Sequence, residues 1–256
     1  MRPRESIGGG LRRVLLDCLE RAQRVAAEAE GSEVERVHEA RLALKRVRAV
    51  LRLADACGLS WAQEARARIA SLSRELGSVR DPTVVTSAAR RLGSAVPIAG
   101  TASPTCWPEW GRRLAAERRR LSRCRWPGVT RAVCHAALAG SVQRLERRER
   151  NAAAGFDASR LHEWRKAVIG LREKLNVTRA LLTRRQQSHA ARLHEVARRL
   201  GTAQDLALLI AAAKVHLPRA MRLDLVKLAQ RKRRRAVKQA RRFAQGLTHD
   251  LRREFL

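Results

Sequence analysis

Three observations predict an all-α fold. Apolar residues make up 45% of the 256-residue chain and are mostly Ala, Leu and Val, whereas aromatics are only 3% and Tyr is absent, so the β-branched and aromatic material of strands is scarce. No stretch alternates apolar and polar residues for long enough to make a convincing strand. Apolar positions recur instead at three- and four-residue spacing, the period of a helix that buries one stripe.

Each element has its own signals. Residues 1 to 10, ending in Gly8-Gly9-Gly10, read as a short flexible leader, and Val14, Leu15, Cys18, Leu19 and Ala22 set a first helix over about 6–30, closed by Gly31. Ser32 followed by Glu35 is the capping-box pattern and launches a second helix to about Cys57, which Gly58 stops. A third helix is expected from Ser60 or Trp61 to Leu76, ended by Gly77, and a fourth over about 82–92, with Asp81 as cap and Pro82 in first position. Residues 93–108, rich in Gly, Ser, Thr and Pro, read as a loop, after which Trp110 to Cys124 is helical until Trp126-Pro127-Gly128. A long helix over about 129–153 follows, then a turn at Gly155-Phe156. Asp157 or Ser159 caps the next helix, which should reach Thr183. Helices over Ser188–Leu200, ended by Gly201, and from Gln204-Asp205 to Val215 come next, with Asp205 as a second N-cap. Pro218 opens the last one, which ends near Gly246.

The charge narrows the function. Lys and Arg total 55 against 24 Asp and Glu, a formal net of +31, which fits a partner that is a polyanion or an anionic surface. Arg dominates this excess, and its planar fork suits phosphate oxygens. The five cysteines are odd in number and lack C-x-x-C spacing, so neither a disulfide framework nor a zinc site is implied, and Cys18, Cys57 and Cys134 read as packing residues. With no run of 18 apolar residues, membrane insertion is not expected, and a cytoplasmic location is the default.

The second helix carries the strongest functional signal. On a helical projection His38, Arg41, Lys45, Arg48 and Arg52 fall within about 80° of arc, with Ala40, Leu44, Val47 and Leu51 opposite. One face suits a core, and the other is a rail of nitrogen donors. A comparable stretch runs from Leu161 to Leu175. His162 lies 124 residues after His38, and the same offset pairs Glu39, Arg41, Arg48 and Leu51 with Glu163, Arg165, Arg172 and Leu175. It also pairs Arg74, Leu76, Gly77 and Asp81 with Arg198, Leu200, Gly201 and Asp205. Two blocks agreeing on one offset point to two related helical halves, about 6–125 and 126–250, packed about a pseudo-twofold axis.

These motifs, H-x-x-R-x-x-x-[KR]-x-x-R followed about 40 residues on by L-G-x-x-[RQ]-D and then repeated, resemble the CHAD family, the conserved histidine α-helical domain. The resemblance covers about residues 10–250 as a single domain of two repeats. It implies two tandem four-helix bundles, a basic groove or pore between them, and binding of inorganic polyphosphate, with association with polyphosphate granules as a corollary. Carried over by position, the contacts are His38, Arg41, Lys45, Arg46 and Arg48, then His162, Arg165, Lys166 and Arg172; the rail geometry adds Arg52. The second motif departs from the family at Ile169, Gly170 and Glu173, so the first rail is expected to bind more strongly.

Competing chemistries are weaker. A metalloprotease helix needs a second His four residues after the first, where Leu42 and Lys166 stand. His189 and His194 read as ordinary surface residues, and the five tryptophans as plugs at helix junctions. No nucleophile–base pair, metal cluster, Gly-rich phosphate loop or cofactor motif accompanies the rails, so a non-enzymatic role is expected. Nucleic acid is the competing polyanion. It is favoured by the charge and by the run Arg231–Arg235, with Arg231, Arg235, Lys238 and Arg242 on one face of the last helix and Arg112, Arg119 and Arg123 on one face of another. A polyanion beside a histidine favours the protonated ring, so polyphosphate binding through His38 and His162 is expected to be tighter at pH 6 than at pH 8. The oligomeric state is left open by the sequence.

Overall fold

A computed structural model describes residues 5–28, 32–76, 80–93, 105–154 and 157–256. Every regular element among them is helical: α1 (Ile7–Ala27), α2 (Glu33–Ala56), α3 (Trp61–Glu75), α4 (Arg80–Arg90), α5 (Trp107–Ser122), α6 (Arg131–Ala153), α7 (Ala158–Val177), a 3-10 turn (Arg179–Leu181), α8 (Arg184–His216), α9 (Arg219–Ala244) and α10 (Leu247–Phe255). The stops expected at Gly31 and Gly77, the turn at Gly155-Phe156, most of the 93–108 loop and the Asp81 side chain lie outside the described residues.

Local chemistry sets several boundaries as expected. Ser32 and Glu35 form the reciprocal capping box of α2, and Gly58 takes a left-handed φ of 79° just beyond its end. Asp157 accepts from the Arg160 N–H at 2.9 Å and caps α7. Other expectations are corrected. Gly8, Gly9 and Gly10 belong to the first turns of α1, with Ser6 as N-cap accepting from the Gly9 N–H. α7 stops at Val177 rather than Thr183, where the buried Thr178 hydroxyl bonds back to the Lys174 carbonyl at 2.7 Å. α5 starts at Trp107, three residues earlier than expected, with Pro108 in its first turn. α10 was not anticipated: Gly246, at φ 76°, turns the chain so that Leu247, Leu251 and Phe255 are buried.

Gly8 is held by contact as well as by capping. A Cβ there would lie 2.8 Å from the Trp126 carbonyl oxygen and 2.9 Å from its Cβ, so the first turn of α1 lies against the Trp126 backbone. Gly8→Ala is expected to cost about 1–3 kcal/mol in urea unfolding, because a backbone clash has to be relieved. Gly140→Ala, in an exposed turn of α6 with nothing within 4 Å of the added Cβ, should have the opposite sign, a gain of about 0.5–1 kcal/mol. Equal effects at both positions would refute the contact as the cause.

The chain forms two compact units. The first comprises residues 1–80, 103–139 and 173–183, and the second residues 81–102, 140–172 and 184–256. In the first, α1, α2, α3 and α5 share a core in which Leu11, Leu15, Leu44, Leu51, Ile69 and Leu114 are all at most 1% exposed. Trp110 seals α5 onto α3 by donating to the Leu72 carbonyl at 3.1 Å, and Trp107 stacks edge-on to it at 5.6 Å. Trp107 and Trp110 thus plug the junction of α5 with α3, as expected, whereas Trp61 and Trp126 are only half-buried. In the second unit Val85, Ala88 and Ala89 of α4 pack with Leu206, Leu209 and Ala213 of α8 and Leu225 and Ala229 of α9. The units are therefore drawn differently from the sequence halves, because the apolar face of α4 is buried among α8 and α9.

Candidate phosphate-binding rails

The first rail is built on α2. Ala40, Leu44, Val47 and Leu51 are at most 1% exposed, so the expected core face is the core face. Arg36 anchors the start of the helix by donating to the Val25 and Ala26 carbonyls at the end of α1, with its guanidinium 4.4 Å above the Trp107 ring. Opposite the core, His38 is exposed and Arg41, Lys45, Arg48 and Arg52 are half-buried. Arg46 does not join them. It is exposed on the α1 side of the helix, where its charge draws down the burial-raised Cys18 thiol, and Glu39 on that same side pairs with Arg21 at 2.5 Å.

Arg48 is the electrostatic centre of this rail. Burial, then the nearby charges of Arg66 and Arg74 on α3, push its guanidinium below the usual arginine range, and its buried Nε has no hydrogen-bond partner. Arg66 is matched by Asp55 at 2.6 Å. Arg74 is exposed at the end of α3. Arg48 thus feels two neighbouring guanidiniums, of which only Arg66 has a carboxylate partner in Asp55, an arrangement that is costly by itself and is relieved by an anion. Sequence reasoning missed Arg66 and Arg74 as site residues, although the repeat had already singled out Arg74.

The second rail, on α7, is laid against α8. His162 Nδ1 is 2.7 Å from Gln204 Oε1, the Arg165 guanidinium lies over Gly201, whose added Cβ would sit 3.4 Å from it, and Arg172 is 2.9 Å from His194 Nδ1. Those pairs step in opposite directions along the two helices, so they record an antiparallel register. They also explain why the two sequence motifs travel together: His and Arg of the first meet Gln and Gly of the second. Lys166 stands apart, exposed and held by Glu163 at 2.7 Å, which itself faces Arg148 at 3.5 Å; the Lys166 hydrogen bond is the largest cause of a lowered Glu163 carboxyl.

This packing corrects several expectations. Gly201 does not end a helix, since α8 runs unbroken from Arg184 to His216. The Arg165 guanidinium lies over the glycine at ordinary contact distance. Asp205 is consequently not an N-cap but a mid-helix residue 3.5 Å from Arg91, just beyond the end of α4. His194 is exposed as expected yet engaged with Arg172, whereas His189 is 2% exposed, 3.3 Å from Glu254 of α10. Glu173 is buried and its charge acts on Cys18, so it belongs to the core of the first unit. The five cysteines are free, and the described residues include no group of three or more candidate metal ligands. Among them, too, no helix is long and apolar enough to cross a membrane.

Comparison with known proteins agrees with the geometry. No curated protein sequence matches the chain. Its fold is similar to that of the CHAD domain from the plant Ricinus communis, known from a crystal structure, with a TM-score of 0.64 at 19% identity over 95% of this chain and 92% of that one. The model of the CHAD domain family matches residues 13–214, a span that holds both histidine-bearing helices and the partners of the second on α8, and the chain belongs to that family.

Proposed function

We propose that the chain binds inorganic polyphosphate without a chemical step, through the cationic faces of α2 and α7, with α2 the stronger. The observation that carries this reading is Arg48 on the α2 rail, whose guanidinium is disfavoured by burial and then by Arg66 and Arg74 and whose buried Nε has no hydrogen-bond partner. Polyphosphate supplies about one negative charge per phosphorus along a flexible line, and the rail residues recur at successive turns of about 5.4 Å. On α7, Arg165 lies over Gly201 and Arg172 beside His194, so both are held toward α8. The glutamates next to the rail histidines pair with cations, Glu39 with Arg21 and Glu163 with Lys166, as expected of groups that position a surface.

Titration of labelled long-chain polyphosphate tests the proposal. The double variant His38→Ala, Arg41→Ala should lose at least about tenfold in affinity, since each removed contact gives up a charge-assisted bond. Wild-type affinity should also fall steeply with salt through counterion release, by analogy with nucleic acids. Unchanged affinity in the double variant would overturn the assignment of the site.

A further inference from the structure

The rails leave the most strongly basic helix of the described residues, α9, unused. On α9, Lys227, Arg231, Arg235, Lys238 and Arg242 fall within about 80° of arc at 100° per residue, and all five are exposed, as is the adjoining Arg234. Leu225, Ala229, Ala236, Val237, Ala240 and Ala244 on the opposite side are buried, and Arg199 of α8 reaches that helix through Gln239 at 2.9 Å. The cationic face is thus turned away from the core that α9 shares with α8. Asp224 is the one acidic residue on the helix, so the face lacks counter-charges of its own. It also lies beyond residues 13–214, the span that matches the family.

We propose that this outer face of α9 is a second polyanion surface, carried on a different helix from the α2 and α7 rails, and that it docks on duplex nucleic acid. Shape and chemistry choose the partner. A single convex helix cannot enclose a flexible chain, but its diameter suits the major groove of a duplex, about 12 Å wide, with phosphate rows on either side. An anionic membrane is disfavoured because an interfacial helix inserts a continuous apolar face, whereas on α9 Leu225, Ala229, Ala236, Val237, Ala240 and Ala244 are buried and the exposed Met221, Leu223, Leu228 and Phe243 do not form one. Single strands are disfavoured because they stack on a series of exposed aromatics, and α9 offers only one, the exposed Phe243, with the Arg199 guanidinium 5.7 Å from its ring centre. Binding would be through phosphates and hence independent of sequence. A protein with both surfaces bridges polyphosphate and nucleic acid.

Fluorescence anisotropy on the full chain tests this with two probes, a labelled duplex of roughly 20 base pairs and labelled long-chain polyphosphate. The variant Arg231→Glu, Arg235→Glu, Lys238→Glu, Arg242→Glu is expected to weaken duplex binding by at least about 30-fold and to flatten its salt dependence, while polyphosphate affinity stays within about threefold. His38→Ala, Arg41→Ala should give the reverse pattern, so failure of the polyphosphate reading and failure of this one are distinguishable. If charge reversal disturbs the thermal melt, the four Gln substitutions replace it, with a loss of about tenfold expected. Wild-type duplex binding in a folded α9 variant would overturn the proposal, as would equal loss of both ligands, which would mean one shared site. So would binding to vesicles of anionic phospholipid that depends on these residues while duplex binding does not.

Discussion

Leu51→Ala is expected to lower the unfolding free energy by about 2–5 kcal/mol, the range for deleting a buried leucine side chain. Leu51 is 0% exposed and belongs to the core shared by α1, α2, α3 and α5, so truncation leaves a cavity whose walls are helices fixed at several other points. Collapse around it is hindered by the Arg36 bonds to the end of α1 and by the Trp110 bond that ties α5 to α3. The substitution also separates stability from binding. Leu51 lies opposite the rail, so the folded variant keeps its cationic face. Saturating polyphosphate at about 100 times its dissociation constant should therefore add about 2.7 kcal/mol to the variant as to the wild type. Urea unfolding with and without polyphosphate measures both quantities. A loss below about 1 kcal/mol would show that the α2 core face repacks freely, and a loss of the ligand increment would show that the rail depends on core packing.

Signals that act within a few residues were legible in the sequence. The capping box of Ser32 and Glu35, the left-handed stop at Gly58 and the apolar stripe of α2 are each decided by neighbours along the chain, so pattern reading recovered the all-α class and the helix bearing the first rail. Features decided by distant contacts were not. Gly201 and Asp205 carry the local signature of a helix end and a helix start, but α8 continues through them. A glycine in a helix interior costs about 0.5–1 kcal/mol relative to alanine without ending the helix, and here Arg165 of α7 lies over it. Gly8 misled in the same way, because the Trp126 backbone it accommodates is more than a hundred residues away. The burial of α4 among α8 and α9 likewise has no local marker.

The candidate site divides along the same line. Helical periodicity placed His38, Arg41, Lys45, Arg48 and Arg52 on one face, while motif matching added Arg46 and Lys166, which stand off the rails beside α1 and Glu163. Periodicity fixes which side chains share a face of one helix. It is silent on what a second helix brings to that face, so Arg66 and Arg74 of α3, and Gln204 and His194 of α8, emerged only from the fold.

Arg48→Met is expected to raise the melting temperature of the protein without ligand by a few degrees while weakening polyphosphate binding at least about tenfold. The two effects share a cause. Half-buried among α2 and α3, the Arg48 guanidinium is disfavoured first by burial and then by Arg66 and Arg74, and its Nε is left without a partner. A thioether chain of similar length fills the same space without a charge or an unmet donor, and replacing buried charge by apolar packing is often neutral or stabilising. A polyanion reverses that balance, since phosphate oxygens accept from Nε and screen the three arginines from one another. If both effects are found, function is held at the expense of stability, the trade-off common at binding sites. Arg48→Lys should fall between, because it keeps the charge but loses the planar fork. Thermal melts and polyphosphate titrations of the three proteins test the linkage. A lower melting temperature together with unchanged affinity in Arg48→Met would make Arg48 a structural residue and remove the main support for α2 as the stronger rail.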